Sequence, residues 1–372
     1  MPAVSACVLA YTLVLTACGG QSGSNAHSAS NGQSGSNGHL STQATYTGPA
    51  TLTWTKPSSG PKIMGLSGLK LTCPSATFCV ELNGSELDAF DGHTWTPMSI
   101  PDGPKDGYSL RSVSCGSPSF CVAVGGGAGS SRGDLATVFD GKSWSTPATI
   151  NTVDEQSMDV VSCVSSRFCV GINFENSGVN VLTFDGKVWS APTTIDTISN
   201  NGDNFGKVSC ASSSLCAVSD INGVMTFDGH RWSPPTAVFP QAGSNYYPSV
   251  LSCVRTSFCL LAYQGVGDNI ATFDGHSWSS PTAIVSQGAI LDELSCVSAS
   301  FCVGTIHPGD ATHYAADAVT IFDGHTWSAP RLIDPHPNGV GVGFRFESLS
   351  CASAGFCAVA DSYGKIVTGS AP

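Results

Sequence analysis

The sequence predicts an all-β fold, a seven-bladed β-propeller with four antiparallel strands per blade. Three observations predict it. Seven Cys-x5-Cys pairs recur along the chain, their first cysteines 42 to 55 residues apart. Six Phe-Asp-Gly-x-x-Trp motifs alternate with them, at Asp91, Asp140, Asp185, Asp228, Asp274 and Asp323. Two half-repeats complement each other: Trp54, in Leu-Thr-Trp-Thr-Lys-Pro, precedes the first pair, and no Asp-Gly-x-x-Trp follows the last. A period of roughly 40 to 50 residues suits one four-stranded blade. The N-terminal strand is therefore expected to complete the last blade, because a closed ring leaves no open sheet edge.

Each repeat reads as four short strands. The third repeat serves as the pattern: strand a ends at the first cysteine in Val160-Val161-Ser162-Cys163, and strand b starts at the second in Phe168-Cys169-Val170. Strand c is the β-branched run Val179 to Phe184, and strand d is expected over Lys187 to Ser190. Between them, Asp185-Gly186 is expected to form a two-residue type I′ turn, since that geometry needs positive φ at both central positions. Alternation puts Phe184 and Trp189 on one face, where neighbouring blades stack.

The cysteine pairs are Cys73/Cys79, Cys115/Cys121, Cys163/Cys169, Cys210/Cys216, Cys253/Cys259, Cys296/Cys302 and Cys351/Cys357. The two members of each pair flank a short hairpin and face each other at disulfide distance. Zinc fits less well, because each repeat offers two thiolates without a recurrent third ligand. Seven disulfides place the chain outside the cytosol.

The repeat resembles the Asp-box of sialidase-type propellers through Thr183, Asp185, Gly186 and Trp189, with one residue fewer between Asp and Gly. It is closer still to the Ser-Cys-x-Ser-x-x-Phe-Cys-Val repeats of secreted bacterial propellers. Over residues 50–372 the resemblance implies a propeller and a rim turn, and nothing catalytic. Leu15-Thr16-Ala17-Cys18-Gly19 follows an apolar stretch too short to span a bilayer and resembles a bacterial lipobox. It implies a lipoprotein with Cys18 as the acylated residue, anchored outside the cytoplasm to the bacterial cell membrane. The expected organisation is a signal peptide over 1–17, a Gly/Ser/Asn tether over 18–45 and the propeller over 46–372. A tether of that composition reaches roughly 25 to 30 Å.

Of 372 residues only 11% are charged, the net charge is −12, and no basic cluster occurs. Nucleic acid and anionic bilayers are thus poor partners, since both are bound through clustered Lys and Arg. Membrane contact is expected only through the lipid anchor, and the chain is expected to be a monomer.

Function is expected where the repeats differ. The a–b and c–d turns share one face and are uniform; the b–c and d–a loops share the other and vary. The position four residues before each first cysteine reads Leu69, Arg111, Asp159, Gly206, Ser249, Asp292 and Glu347, and is expected to ring the channel mouth. Arg111, Asp159, Asp292 and Glu347 in that ring suit a polar ligand or simply ordered water. Phe205, Tyr246, Tyr247 and Phe344 in the variable loops suit stacking on a sugar or anchoring a protein. No cofactor, metal site or catalytic residue is expected: seven arginines are few for a sialidase-like carboxylate clamp, and no nucleophile or phosphate-loop motif occurs. The expected function is a binding module for a glycan or an extracellular protein. The alternative is a propeller enzyme, a glycan hydrolase or metal-assisted lyase, using the acidic channel mouth.

Overall fold

Short β-branched runs punctuated by Gly and Asp become short strands, and the repeats become blades. The computed structural model describes residues 52–56, 58–59, 69–101, 107–127, 133–152, 157–175, 178–197, 206–239, 247–255, 257–264, 269–284, 289–308, 316–335, 346–362 and 364–371. They form seven antiparallel sheets. The innermost strands, a, of blades 1 to 7 are Lys70–Ser75, Tyr108–Ser117, Val160–Ser165, Lys207–Ser212, Tyr247–Val254, Ala289–Ser298 and Phe346–Ser353. Each pairs outward with strands b and c. In the last sheet the outermost place is taken by Thr53–Trp54, which pairs with Lys365–Ser370. The ring is closed as the half-repeats predict.

All seven expected disulfides are formed: Cys73–Cys79, Cys115–Cys121, Cys163–Cys169, Cys210–Cys216, Cys253–Cys259, Cys296–Cys302 and Cys351–Cys357. Each joins strand a to strand b of one blade, with Cα atoms 3.9–4.1 Å apart. The strand b partners, Cys79, Cys121, Cys169, Cys216, Cys259, Cys302 and Cys357, are fully buried, so the bridges lie inside the blades rather than on the rim. Such closeness belongs to a pair whose N–H groups point away from each other's strand. On strand a those N–H groups face the channel, where no further strand exists to accept them. The Ser or Thr preceding the cysteine of the previous blade accepts each one. Cys115 donates to Thr72 Oγ1, Cys163 to Ser114, Cys210 to Ser162, Cys253 to Ser209, Cys296 to Ser252 and Cys351 to Ser295, at 2.8–3.2 Å. Cys73 donates to Ser350 at 2.9 Å and completes the circle.

Farther out the blades interlock through aromatics. Phe78 stacks on Phe139, Phe120 on Phe184 and Phe168 on Phe227, and Phe356 of blade 7 stacks on Phe90 of blade 1. Within blades 1 to 6 the Phe before Asp-Gly tilts against its own Trp, as Phe184 does on Trp189 at 5.4 Å.

Three local expectations are corrected. The Asp-Gly turn is a four-residue loop, not a two-residue type I′ turn: Phe184 pairs directly with Trp189, and Asp185 N–H donates to Val188 O. Only glycine takes positive φ there, +92° to +98°, because the Asp side chain accepts the N–H groups two and three residues on at 2.7–2.9 Å and sets the loop itself. Those bonds hold all six carboxyls below the usual carboxylate range. Strand d of blade 3 consequently starts later, at Thr193–Asp196. Strand a also runs past its first cysteine, to Ser165, and strand b begins one residue before its second.

Two outcomes test this architecture. Trp54→Ala should cost about 3 to 5 kcal/mol in urea unfolding, because the indole seats on Gly369 and joins the blade 7 core; an unchanged midpoint contradicts closure by this strand. Ser162→Val should cost about 1 to 3 kcal/mol by orphaning the Cys210 N–H, whereas Ser162→Thr, which copies Thr72, should be near neutral. Equal losses would show that the hydroxyl has no special part.

Candidate functional site

Strand a of every blade begins at the variable-loop face, so its first residues surround that end of the channel. In blades 2, 5, 6 and 7 the ladder register shifts at the position four before the cysteine, leaving Arg111, Ser249, Asp292 and Glu347 as bulged residues. In blade 3, Asp159 N–H donates to Ile172 O, which also faces Val160. A bulge re-aims its side chain. Arg111 forms an ion pair with Asp159 of the next blade, and the Asp159 carboxylate also accepts the Phe174 N–H. Burial pushes the Asp159 carboxyl up, and Phe174 and Arg111 oppose that push.

Inside the mouth, one residue further along strand a, Lys70, Lys207 and Glu293 converge from blades 1, 4 and 6. They keep some surface open to the channel but are walled by protein. Burial raises the Glu293 carboxyl, with Lys207 and then Lys70 pulling it back, and Asp292 and Glu347 pushing it further up. The Lys207 ammonium is pulled down by burial, which Glu293 opposes and Lys70 reinforces. The sequence-based ring misses this trio. The equivalent position elsewhere reads Ser112, Val160, Val250 and Ser348, and Ser112 and Ser348 spend their hydroxyls on the next blade's Val161 and Leu71 N–H groups. The readable signal is that Lys or Glu replaces Ser or Val at one repeat position. Two cations facing one carboxylate suit a polar, bidentate partner better than a divalent metal, which the lysines repel.

Of the other expected site residues, Asp292 and Glu347 lie beside Glu293. Tyr247 begins strand a of blade 5, its side chain outside the description, and Phe205, Tyr246, Phe344 and Cys18 lie outside the described residues.

A second polar cluster sits in the seam between blades 7 and 1. Glu81 is fully buried where the other blades carry Ala123, Gly171, Val218, Leu261, Gly304 and Val359. Neither carboxyl oxygen finds a hydrogen-bond partner among the described residues. Burial first, then Asp88 and Asp361, push its carboxyl up to about 8.

No family model matches the chain, and no curated protein matches it. Solved structures do. YCF48 bound to D1 peptide superposes with TM-score 0.57 at 15% identity, over 86% of this chain and 97% of that one. A chain of the mitotic checkpoint complex gives 0.57 at 10% identity, over 93% and 98%. The Cps50 (Swd1) β-propeller domain from Myceliophteria thermophila gives 0.55 at 10% identity, over 86% and 100%. At these identities the likeness shows the fold alone.

The Glu81 cluster predicts a pH dependence. The folded carboxyl keeps its proton to about pH 8, while the unfolded one releases it near 4.5, so stability falls as pH rises across that window. Glu81→Leu should therefore unfold at higher urea than the parent at about pH 8, the gap narrowing as pH drops toward about 4.5. Parallel pH profiles of the two proteins would refute this.

Proposed function

We propose that the chain is an extracytoplasmic binding scaffold, tethered to the bacterial membrane through Cys18, that recognises a polypeptide at the variable-loop face. The observation that carries this reading is the charged mouth. Lys70, Lys207 and Glu293 depart there from an otherwise Ser/Val position, beside Arg111 and Asp159, at the face where loops differ from blade to blade. Mixed charges held by a rigid ring offer both signs to a peptide's main-chain and side-chain groups. Support for a polypeptide over a glycan comes from YCF48, a propeller of like fold solved with a peptide. Support for an extracytoplasmic site comes from the seven disulfides. The expected aromatics Phe205, Tyr246, Tyr247 and Phe344 would surround this mouth on the variable loops. A metal-assisted lyase fits less well, because the ammonium groups of Lys70 and Lys207 take the place a cation would need.

The test is capture of extracellular partners by the exported protein, quantified against Glu293→Gln and Lys207→Gln. Either change should weaken capture by about tenfold or more, while His230→Ala on the uniform face should leave it unchanged. Capture that survives both mouth variants and is lost in His230→Ala would place recognition on the opposite face.

A further inference from the structure

The outer rim is uneven. Blades 1, 2, 3 and 6 carry outer strands of four or five residues: Trp95–Met98, Ala148–Asn151, Thr193–Asp196 and Arg331–Pro335. Among the described residues the outer strand of blade 5 is Thr282–Ala283, and that of blade 4 is reduced to the isolated bridges Phe227 to Trp232 and Val224 to Thr236. Pro235 has counterparts in Pro147, Pro192, Pro281 and Pro330, so the residue peculiar to blade 4 is Pro234, which supplies no N–H. In blade 1 the outer strand reaches the next blade's tryptophan, where Met98 Sδ accepts the Trp144 indole N–H. The Trp278 indole N–H, like those of Trp54 and Trp327, is buried with no acceptor among the described residues. Beside Trp278 lies a groove of about 550 Å³ between blades 4 and 5, a size typical of small-ligand sites.

We infer that this groove binds a neutral saccharide. Its walls include Trp278, Phe273, His276, Pro281 and a series of hydroxyls, and hold no Asp, Glu, Lys or Arg. Ser233 and Ser279 spend their hydroxyls on the chain itself, accepting the Thr226 and Thr272 N–H groups. The hydroxyls of Thr236, Ser277 and Ser280 and the His276 ring are exposed and make no such bond among the described residues. A partly exposed indole offers an apolar face to the C–H side of a pyranose, and the hydroxyls and imidazole match its O–H groups in both directions. A charged ligand would find no counter-ion here, and an anionic one would also meet the chain's net charge of −12. The site is separate from the charged mouth and stands whether or not that mouth binds a polypeptide.

The experiment titrates the full chain with cellobiose and with chitobiose by calorimetry. Saturable binding is expected, with a Kd of about 1 mM or tighter. Trp278 also belongs to the blade 5 core, so the groove is best filled from its exposed wall. Ala237→Trp should weaken binding by about tenfold or more with the thermal midpoint unchanged, and Thr236→Ala should weaken it less. His325→Ala, at the place in blade 6 that His276 holds in blade 5, should leave it unaltered. Absence of saturable binding by either sugar overturns the assignment, as does binding that Ala237→Trp retains.

Discussion

The hydroxyl that caps the neighbouring cysteine's N–H is the contact on which the ring depends. Strand a is the inner edge of each blade, and an edge strand facing a narrow channel has N–H groups that no other strand can reach. Left bare, each costs about 1 to 3 kcal/mol, more than the 0.5 to 1.5 kcal/mol that a satisfied bond contributes. A Ser or Thr one residue before the cysteine projects toward the next blade and meets its N–H there. The following residue, the cysteine, ties strand a covalently to strand b of its own blade. Two consecutive residues thus hold the edge in both directions, and Ser350 to Cys73 carries the linkage across the join between the chain's two ends. Because each blade supplies a cap and receives one, loss of a single blade would leave two neighbours incomplete.

The outer layers rest on that inner circle. Once strands a are spaced by the hydroxyl bonds, the Phe before the second cysteine comes within stacking distance of the Phe before Asp-Gly in the next blade, 5.9–6.4 Å between centroids in four of the seams. Blade 7 has no Asp-Gly-x-x-Trp of its own, so Trp54 and Leu52 arrive from the other end to fill its core, with Leu52 only 1% exposed.

The period, the disulfides and the closure were legible because each repeats or is conspicuously missing once. The turn type was not. A two-residue and a four-residue loop both leave Phe184 and Trp189 on one face, since they differ by an even number of residues and the side-chain period is two. The deciding fact is a hydrogen bond, Asp185 Oδ1 to the N–H groups of Lys187 and Val188, which hydrophobic patterning does not encode. The channel-mouth ring was half legible for a similar reason. Counting back four residues finds the bulged positions Arg111, Asp292 and Glu347, but the bulge itself breaks the alternation that the count assumes. The Lys70, Lys207 and Glu293 trio sits one residue away.

In an array under sevenfold structural constraint, a departure from the repeat is more informative than the repeat. Glu81 replaces a small or apolar side chain in a seam, where burial penalises its charged form. Lys70, Lys207 and Glu293 replace Ser or Val, and burial disfavours the charged forms of Lys207 and Glu293. Among the described residues, blade 4 keeps only isolated bridges where four other blades carry an outer strand of four or five residues. Sequences drifting under stability alone would be expected to shed such costs, because other blades show a cheaper residue that fits the same place. The drift account remains strongest for exposed loops, where nothing opposes change, and weakest for buried positions, where packing does. The charged mouth therefore argues for selection more strongly than the variable loops around it. The rim groove stands between the two: its floor is the buried core formed by Val238 and Phe273, while its chemistry is on an open wall. Two surfaces built from different departures, one ionic and axial, the other neutral and peripheral, are suited to different ligands on the same rigid ring.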